Sequence, residues 1–156
     1  KQKTAYEIGV RLVGSEMCIR DRFLCLPRPD IEHCIKIGTF GLSRKHLLGK
    51  VKVGDRVVCC AGKGDWKIIG VGTTTAEHYL DDTRVFLGEG IFPDRISIKV
   101  AQLSPDHEFD LMSIIDKLSF VTKLEYWSLY FRNAIVQMTE SDWELITAKT
   151  GSSCTA

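Results

Sequence analysis

Short apolar runs separated by glycine-rich or proline-rich turns recur along this chain, and the pattern predicts a β-rich domain. The most informative stretch is residues 47–61, where the turn Lys52-Val53-Gly54-Asp55 precedes an apolar, β-branched run over residues 56–61. Gly54 can adopt the positive φ that such a turn needs. Residues 62–65 form a second glycine-rich turn, and residues 66–72 return as another strand. Two buried strands joined by this turn predict the centre of a small β-barrel or curled sheet.

The rest of the chain adds further strands and short helices. Strands are predicted over residues 23–26, 92–100 and 134–138, and helices over residues 31–37, 111–117 and from 140 onward. Asp30, Asp110 and Thr139 are the expected N-caps, and Gly38 is expected to end the first helix. The apolar side chains expected to face inward from the later helices are Leu111, Ile114, Ile115, Leu118, Trp143, Leu145 and Ile146. This order of elements predicts an α+β, barrel-like domain.

Composition and charge narrow the class of protein. The 156 residues carry 44% apolar and 26% charged side chains with a net charge of +1, as in an ordinary soluble domain. Because no global basic field exists, any nucleic-acid contact must use a local patch. No apolar run approaches the roughly 20 residues of a membrane span, so we expect no membrane contact, and the cysteine pattern described next favours a cytoplasmic protein.

The cysteines indicate reduced thiols rather than a metal site. They are Cys18, Cys25, Cys34, Cys59, Cys60 and Cys154, and their spacing contains no CxxC pair. Cys59 and Cys60 are neighbours in a predicted strand and should therefore point to opposite faces of the sheet.

The first 22 residues look unlike the start of a natural gene product. Residues 13–22 resemble a peptide that arises when a sequencing adapter is translated by accident, although residues 6–13 have some β character. We therefore expect a non-native extension over residues 1–22, one domain over residues 23–149, and a frayed tail over residues 150–156.

Catalytic signatures are missing from the sequence. It contains no GxSxG, HExxH or P-loop motif, and its four histidines lack metal-ligand spacing. An enzymatic site would have to draw on His78, Asp81 and Asp82. We expect a protein that is not an enzyme and that needs no metal or cofactor.

Binding is better supported than catalysis. Phe40 lies beside Gly41 and just before a basic stretch, so it is either a core residue or a platform on which a nucleobase stacks. Arg28, Arg44, Lys45 and Lys123 are candidates for phosphate contacts. A charge run is more often a solvated surface, so this pattern alone decides nothing.

Several ordered pieces carry a family resemblance. They are Phe23-Leu24-Cys25-Leu26, Thr39-Phe40-Gly41-Leu42, Val51-Lys52-Val53-Gly54-Asp55, Ile69-Gly70-Val71-Gly72, Tyr79-Leu80-Asp81, Phe92-Pro93-Asp94-Arg95-Ile96, Leu118-Ser119-Phe120-Val121, Trp127-Ser128 and Thr139-Glu140-Ser141-Asp142-Trp143. Over residues 23–149 their order and spacing resemble the EVE domain, a member of the PUA-like superfamily related to YTH domains. The resemblance implies a curled β-barrel flanked by short helices.

The resemblance also implies a prokaryotic reader of modified nucleic acid. A flipped base, with 5-methylcytosine in DNA as the first choice and modified RNA as another, would enter an aromatic-lined pocket. The implied pocket residues are Pro27, Arg28, Phe40, Gly41, Leu42, Tyr79, Asp81, Trp127 and Ser128, with phosphate contacts from Arg44, Lys45 and Lys123. We expect the protein to act as a monomer.

Two departures from the family pattern bear on the pocket. Phe40 replaces the usual tryptophan, and Cys59 and Cys60 stand where many relatives have a tyrosine. The competing hypothesis is a protein-interaction or small-ligand module that kept the barrel without base binding. A basic rim around Phe40 favours the base reader, whereas a plugged or acid-rimmed pocket favours the alternative.

Overall fold

The structure is a computed structural model that describes residues 21–42, 51–62 and 64–150. Within these residues, seven strands form one curled, mixed sheet. The strands are β1 (Asp21–Pro27), β2 (Thr39–Leu42), β3 (Arg56–Gly62), β4 (Lys67–Leu80), β5 (Asp94–Gln102), β6 (Phe109–Asp110) and β7 (Ile135–Met138). They are ordered β2-β5-β4-β3-β1-β7, and β6 pairs with β4. Only β1 and β3 pair in parallel; the other pairs in this part of the chain are antiparallel.

Two α-helices and several 3₁₀ segments cover the sheet in the described residues. The α-helices are α1 (Arg28–Ile37) and α2 (Glu140–Lys149), and the 3₁₀ segments are Pro105–His107, Leu111–Ser113, Ile115–Lys117 and Leu124–Phe131. The α+β class predicted from the sequence is therefore confirmed. None of the helices so described is long and apolar enough to span a bilayer.

The curl of the sheet comes from β4, the longest described strand at 14 residues. Its pairing with β5 shifts register between Thr74 and Ala76 and again before Tyr79, and such bulges bend a strand. At Gly72 the backbones approach so closely that a β-carbon would lie 2.0 Å from the carbonyl oxygen of Lys99. These features let β4 bend across β3, β5 and β6.

Each face of the sheet carries its own core. One cluster contains Phe23, Val58, Cys60 and Ile68, packed under the 3₁₀ segments and α2. The other contains Leu24, Ile31, Phe40, Cys59 and Ile96 and lies under α1. Cys59 and Cys60 thus point to opposite faces, as predicted from strand alternation.

The boundaries of the domain differ from the sequence prediction at both ends. Asp21 and Arg22, assigned to the extension, belong to β1 and pair with β3. Asp21 is buried and accepts hydrogen bonds of 2.8 and 2.9 Å from Arg56. Thr150, assigned to the tail, is the C-cap of α2, and its backbone N–H donates a hydrogen bond to the Ile146 carbonyl. Residues 1–20 and 151–156 lie outside the described residues.

Two predicted helices also begin differently. The first starts at Arg28, because Pro29 is tolerated in a first helical turn, so Asp30 lies within that turn instead of capping it. The segment after Asp110 forms two 3₁₀ turns rather than one α-helix, since the backbone of Asp110 is paired with Lys67 of β4. The inward residues Leu111, Ile114, Ile115 and Leu118 are nevertheless buried, because 3₁₀ spacing also places i and i+3 on one side.

Candidate functional site

A cavity of about 470 Å³ lies where the start of α1, the end of β2, the wall loop (residues 81–93) and the turn over residues 132–134 meet. Its apolar lining comes from Leu26, Leu42, Phe86, Leu87 and Phe92. Its charged and amide lining comes from Asp30, Glu89, Arg132 and Asn133. Small-ligand sites combine such an apolar lining with a few polar groups in roughly 300–1,000 Å³.

Two aromatic rings of the wall loop meet at the cavity. The centroids of Phe86 and Phe92 are 5.8 Å apart, with the ring planes at 79° in an edge-to-face arrangement. His33 of α1 fastens this loop to the helix, because its Nε2 lies 2.7 Å from the Val85 carbonyl oxygen. Since a carbonyl only accepts, this ring nitrogen carries the hydrogen. The aromatic wall is thus attached to a helix that also lines the cavity.

The helix side of the cavity carries a carboxylate and a thiol. Asp30 and Cys34 both line the cavity from positions one turn apart on α1. The described part of the chain offers the half-buried Asp30 carboxylate no hydrogen bond or ion pair. Burial raises the pKa of the Cys34 thiol to about 12, and the charge of Asp30 acts in the same direction. The helix therefore presents an acceptor without a partner among these residues beside a neutral thiol.

The predicted residues of β2 divide between cavity and core. Gly41 and Leu42 line the cavity. Phe40 is 0% exposed and belongs to the buried cluster that contains Ile31 and Ile96. The expectation that Phe40 forms the stacking wall is corrected: the core role that the sequence left open is the one it takes.

Pro27 and Arg28 precede the cavity without lining it. The Arg28 guanidinium binds Glu108 at 3.0 Å, Glu32 at 3.1 Å and the carboxylate of Asp65. These carboxylates, Glu108 first, raise the pKa of Arg28. Arg28 therefore joins α1 to the β3–β4 turn and to the segment before β6, and it is not placed to contact a ligand in the cavity.

Tyr79 and Asp81 flank the wall loop but are outside the cavity lining. The Tyr79 hydroxyl accepts a 3.4 Å hydrogen bond from Ser97. Asp81 accepts bonds from the amide (2.9 Å) and hydroxyl (2.7 Å) of Thr83, and these bonds lower its pKa. Both residues support the base of the loop.

The late predicted residues lie apart from the cavity. Trp127 packs edge-to-face on Trp66 at 4.9 Å, and both rings are partly buried against the core. Ser128 and Lys123 are exposed on the segment Leu124–Phe131 and its N-cap, and neither lines the cavity. Arg44 and Lys45 fall outside the described residues.

The residues named for a possible enzymatic site do not converge on the cavity. His78 Nε2 is 2.7 Å from Asp94 Oδ1 on the neighbouring strand, and Asp82 is exposed at the start of the wall loop. His78, Asp81 and Asp82 are absent from its lining. Across residues 21–42, 51–62 and 64–150, His, Cys, Asp and Glu form no cluster suited to a metal ion.

Sequence reasoning missed the wall loop. Phe92 is predicted in a strand, and no binding role is predicted for Phe86, Asp30, Arg132 or Asn133. The signal was present, because Phe86 and Phe92 flank the glycine-rich stretch Gly88-Glu89-Gly90. An aromatic beside glycine in a loop is the same pattern that drew attention to Phe40.

Comparison with known proteins confirms the fold class. The chain is 29% identical to UPF0310 protein PH1033 of Pyrococcus horikoshii over 140 residues, covering 80% of this chain and 94% of that protein. No family model matches.

The fold is also similar to solved structures. A crystal structure of a Pseudomonas putida protein superposes with a TM-score of 0.61 and 15% identity, covering 83% of this chain and 99% of that one. A ZmASCH mutant protein from Zymomonas mobilis gives a TM-score of 0.57 and 8% identity, covering 83% and 97% of the two chains. The chain thus shares the curled α+β fold of these solved structures.

Proposed function

We propose that this protein binds nucleic acid without catalysing a reaction, and that it holds one flipped, modified base in the cavity between α1 and the wall loop. The observation that carries the proposal is the pairing of two aromatic rings, Phe86 and Phe92, with the Asp30 carboxylate around one cavity. A flipped base needs an aromatic or apolar surface for its faces and polar groups for its edge. The UPF0310 relative and the EVE resemblance agree with this fold but do not supply the site.

The chemistry of Asp30 favours a base with an exocyclic amine. A carboxylate accepts hydrogen bonds and cannot donate them, so it pairs with the amine of cytosine and repels the carbonyl at the same position of thymine or uracil. The leucines that line the cavity offer an apolar surface to a methyl group. A buried methyl contributes about 0.8 kcal/mol, so 5-methylcytosine should bind only about fourfold more tightly than cytosine.

Phosphate contacts would come from outside the aromatic wall. Arg132 lines the cavity and is exposed, and the described residues give its guanidinium no carboxylate partner. Arg44 and Lys45, which lie outside the described residues, stay candidates for phosphate contacts from the sequence alone.

The competing function is a small-ligand or protein-interaction module. Two carboxylates, Asp30 and Glu89, line the described cavity against one guanidinium, Arg132, and this balance is unfavourable for a polyanion. The acidic balance of the cavity lining therefore favours this alternative, and the titration below distinguishes it from base binding.

The test is a fluorescence-anisotropy titration of the full chain with short single- and double-stranded DNA and RNA. Each oligonucleotide carries one central cytosine, 5-methylcytosine, uracil or N6-methyladenine, and each is titrated at low and high salt. We expect tighter binding of one modified base, and its loss in Phe86→Ala but not in Tyr126→Ala, an exposed aromatic outside the cavity. Asp30→Asn should abolish the preference for cytosine over uracil, whereas Asp106→Asn removes an exposed carboxylate elsewhere and should change nothing.

Two results would count against the proposal. Equal binding to every oligonucleotide that disappears with salt would mean attraction to the phosphate backbone alone. Absence of binding at low salt would favour the small-ligand or interaction module.

A further inference from the structure

The Arg95 side chain connects the sheet to the aromatic wall of the cavity. Its backbone lies in β5, paired with Gly41 of β2 on one side and Tyr79 of β4 on the other. The residue is buried, at 1% exposure, although it carries a full positive charge. A buried arginine is retained only where its donors are satisfied, so its contacts identify what it holds.

Four hydrogen bonds and one ion pair connect the Arg95 guanidinium to oxygen atoms. Nε donates to the Phe92 carbonyl at 3.1 Å, and Nη2 donates to the carbonyls of Ile91 (2.9 Å) and Thr83. Nη1 donates to the Thr83 hydroxyl at 3.2 Å and lies 3.4 Å from Asp81 Oδ1. Both ends of the wall loop are therefore bonded to one side chain.

The same guanidinium contacts the aromatic wall directly. Its central carbon is 5.0 Å from the centroid of the Phe86 ring, in cation–π geometry. Phe86 in turn meets Phe92 edge to face, and the backbone of Phe92 is held by Arg95 Nε. One residue of the sheet thus fixes the position of both aromatic rings.

We propose that Arg95 is a positioning residue of the cavity, which holds Phe86 and Phe92 in place before a ligand arrives. The identity of the ligand rests on the proposed function, whereas the claim that Arg95 holds the two rings does not depend on it. A wall that is already ordered avoids the entropic cost of ordering it on binding. Lysine cannot replace Arg95, because a single ammonium with three donors cannot span both ends of the loop or stack flat on a ring.

The test compares Arg95→Lys with Arg56→Lys in the full chain. Arg56 is a matched control: it binds the carboxylate of Asp21 and lies 4.8 Å from the Trp143 ring centroid, away from the cavity. Amide hydrogen exchange measures how often the wall loop opens. One such amide is that of Asp81, which donates to the Pro93 carbonyl at 3.0 Å. Affinity is measured with single-stranded DNA that carries one central 5-methylcytosine.

We expect exchange in the wall loop to accelerate, and affinity to fall roughly tenfold, in Arg95→Lys but not in Arg56→Lys. Methylguanidinium at millimolar concentration should restore the affinity of Arg95→Ala, which a general loss of stability would not allow. Unchanged loop exchange in Arg95→Lys overturns the inference, as does faster exchange with unchanged affinity. If the unaltered protein binds no oligonucleotide, the proposed function fails, and loop exchange alone then decides whether Arg95 holds the wall.

Discussion

Gly41 and Phe86 are in contact so close that no side chain fits between them. A β-carbon on Gly41 would lie 2.7 Å from Cε2 and 2.8 Å from Cζ of the Phe86 ring, and 2.9 Å from the Phe92 carbonyl oxygen. The end of β2 and the wall loop therefore meet as backbone against ring. Because residue 41 is a glycine, the Phe86 ring can pack directly against the backbone of β2.

Gly41→Ala is expected to displace the Phe86 ring and the backbone at Phe92. Overpacking of this kind costs about 1–3 kcal/mol of unfolding free energy. Urea denaturation measures the loss, and the double variant Gly41→Ala/Phe86→Leu should regain part of it, because leucine lacks the ring atoms that collide. If the losses of unfolding free energy in Gly41→Ala and Phe86→Leu simply add up in the double variant, the close contact between the two residues is contradicted.

Asp142 is expected to be among the residues on which the stability of α2 depends most. Its carboxylate accepts hydrogen bonds from the Ser119 amide (2.8 Å) and hydroxyl (2.6 Å) and from the Thr139 amide (3.1 Å). Asp142→Ala removes one half of a capping box and leaves the part-buried donors of Ser119 and Thr139 without this acceptor, so we expect a loss of roughly 1–3 kcal/mol.

The control for Asp142 is Glu144→Ala, which removes an exposed carboxylate from the same helix. Its effect should stay within about 0.5 kcal/mol in the same denaturation experiment. Equal losses in the two variants would mean that charge, and not the cap, explains the result.

Arg28→Ala is expected to separate structure from binding. Because the guanidinium is 29% exposed and solvent screens its ion pairs, the stability loss should be about 1 kcal/mol. Nucleic-acid affinity should change little, since Glu32, Asp65 and Glu108 already occupy the guanidinium. A large loss of affinity with intact stability would return Arg28 to the binding site.

The thiol of Cys34 should make stability fall at alkaline pH. Its pKa in the folded protein is raised from 9.0 to about 12, so between these values the unfolded chain releases a proton that the folded chain keeps. Stability is therefore fully present below pH 9.0 and declines as the pH rises toward 12. Urea denaturation at increasing pH should show a shallower decline in Cys34→Ala than in the unaltered protein.

Alkylation provides an independent check on Cys34. Although this residue lines the cavity, its thiolate fraction near neutral pH should be roughly a thousandfold below that of an unperturbed cysteine. Mass spectrometry of the Cys34 peptide after iodoacetamide treatment measures the rate. Rapid labelling at pH 7 in the folded protein would show that the pKa is not raised.

The sequence by itself determined the elements whose cause is local. Arg56–Gly62 forms a strand as its short apolar run between two glycine-containing turns predicts, and Gly54 takes a φ of 91° as the turn requires. The capping box from Thr139 to Asp142 starts α2 at the predicted residue, because a cap is an interaction within four residues. The order of elements predicted the α+β class, the resemblance to the EVE domain implied the curled sheet, and the solved structures confirm this fold.

Only the tertiary structure decided which residues surround the cavity. Phe40 and Phe86 are both aromatics near glycines in sequence, yet α1 covers the first and the wall loop carries the second to the cavity. The position of Phe86 and Phe92 at the cavity depends on contacts of Arg95 with both ends of the wall loop. No local sequence pattern encodes these contacts. Periodicity reports which face of an element is apolar, but what lies against that face is set by long-range packing.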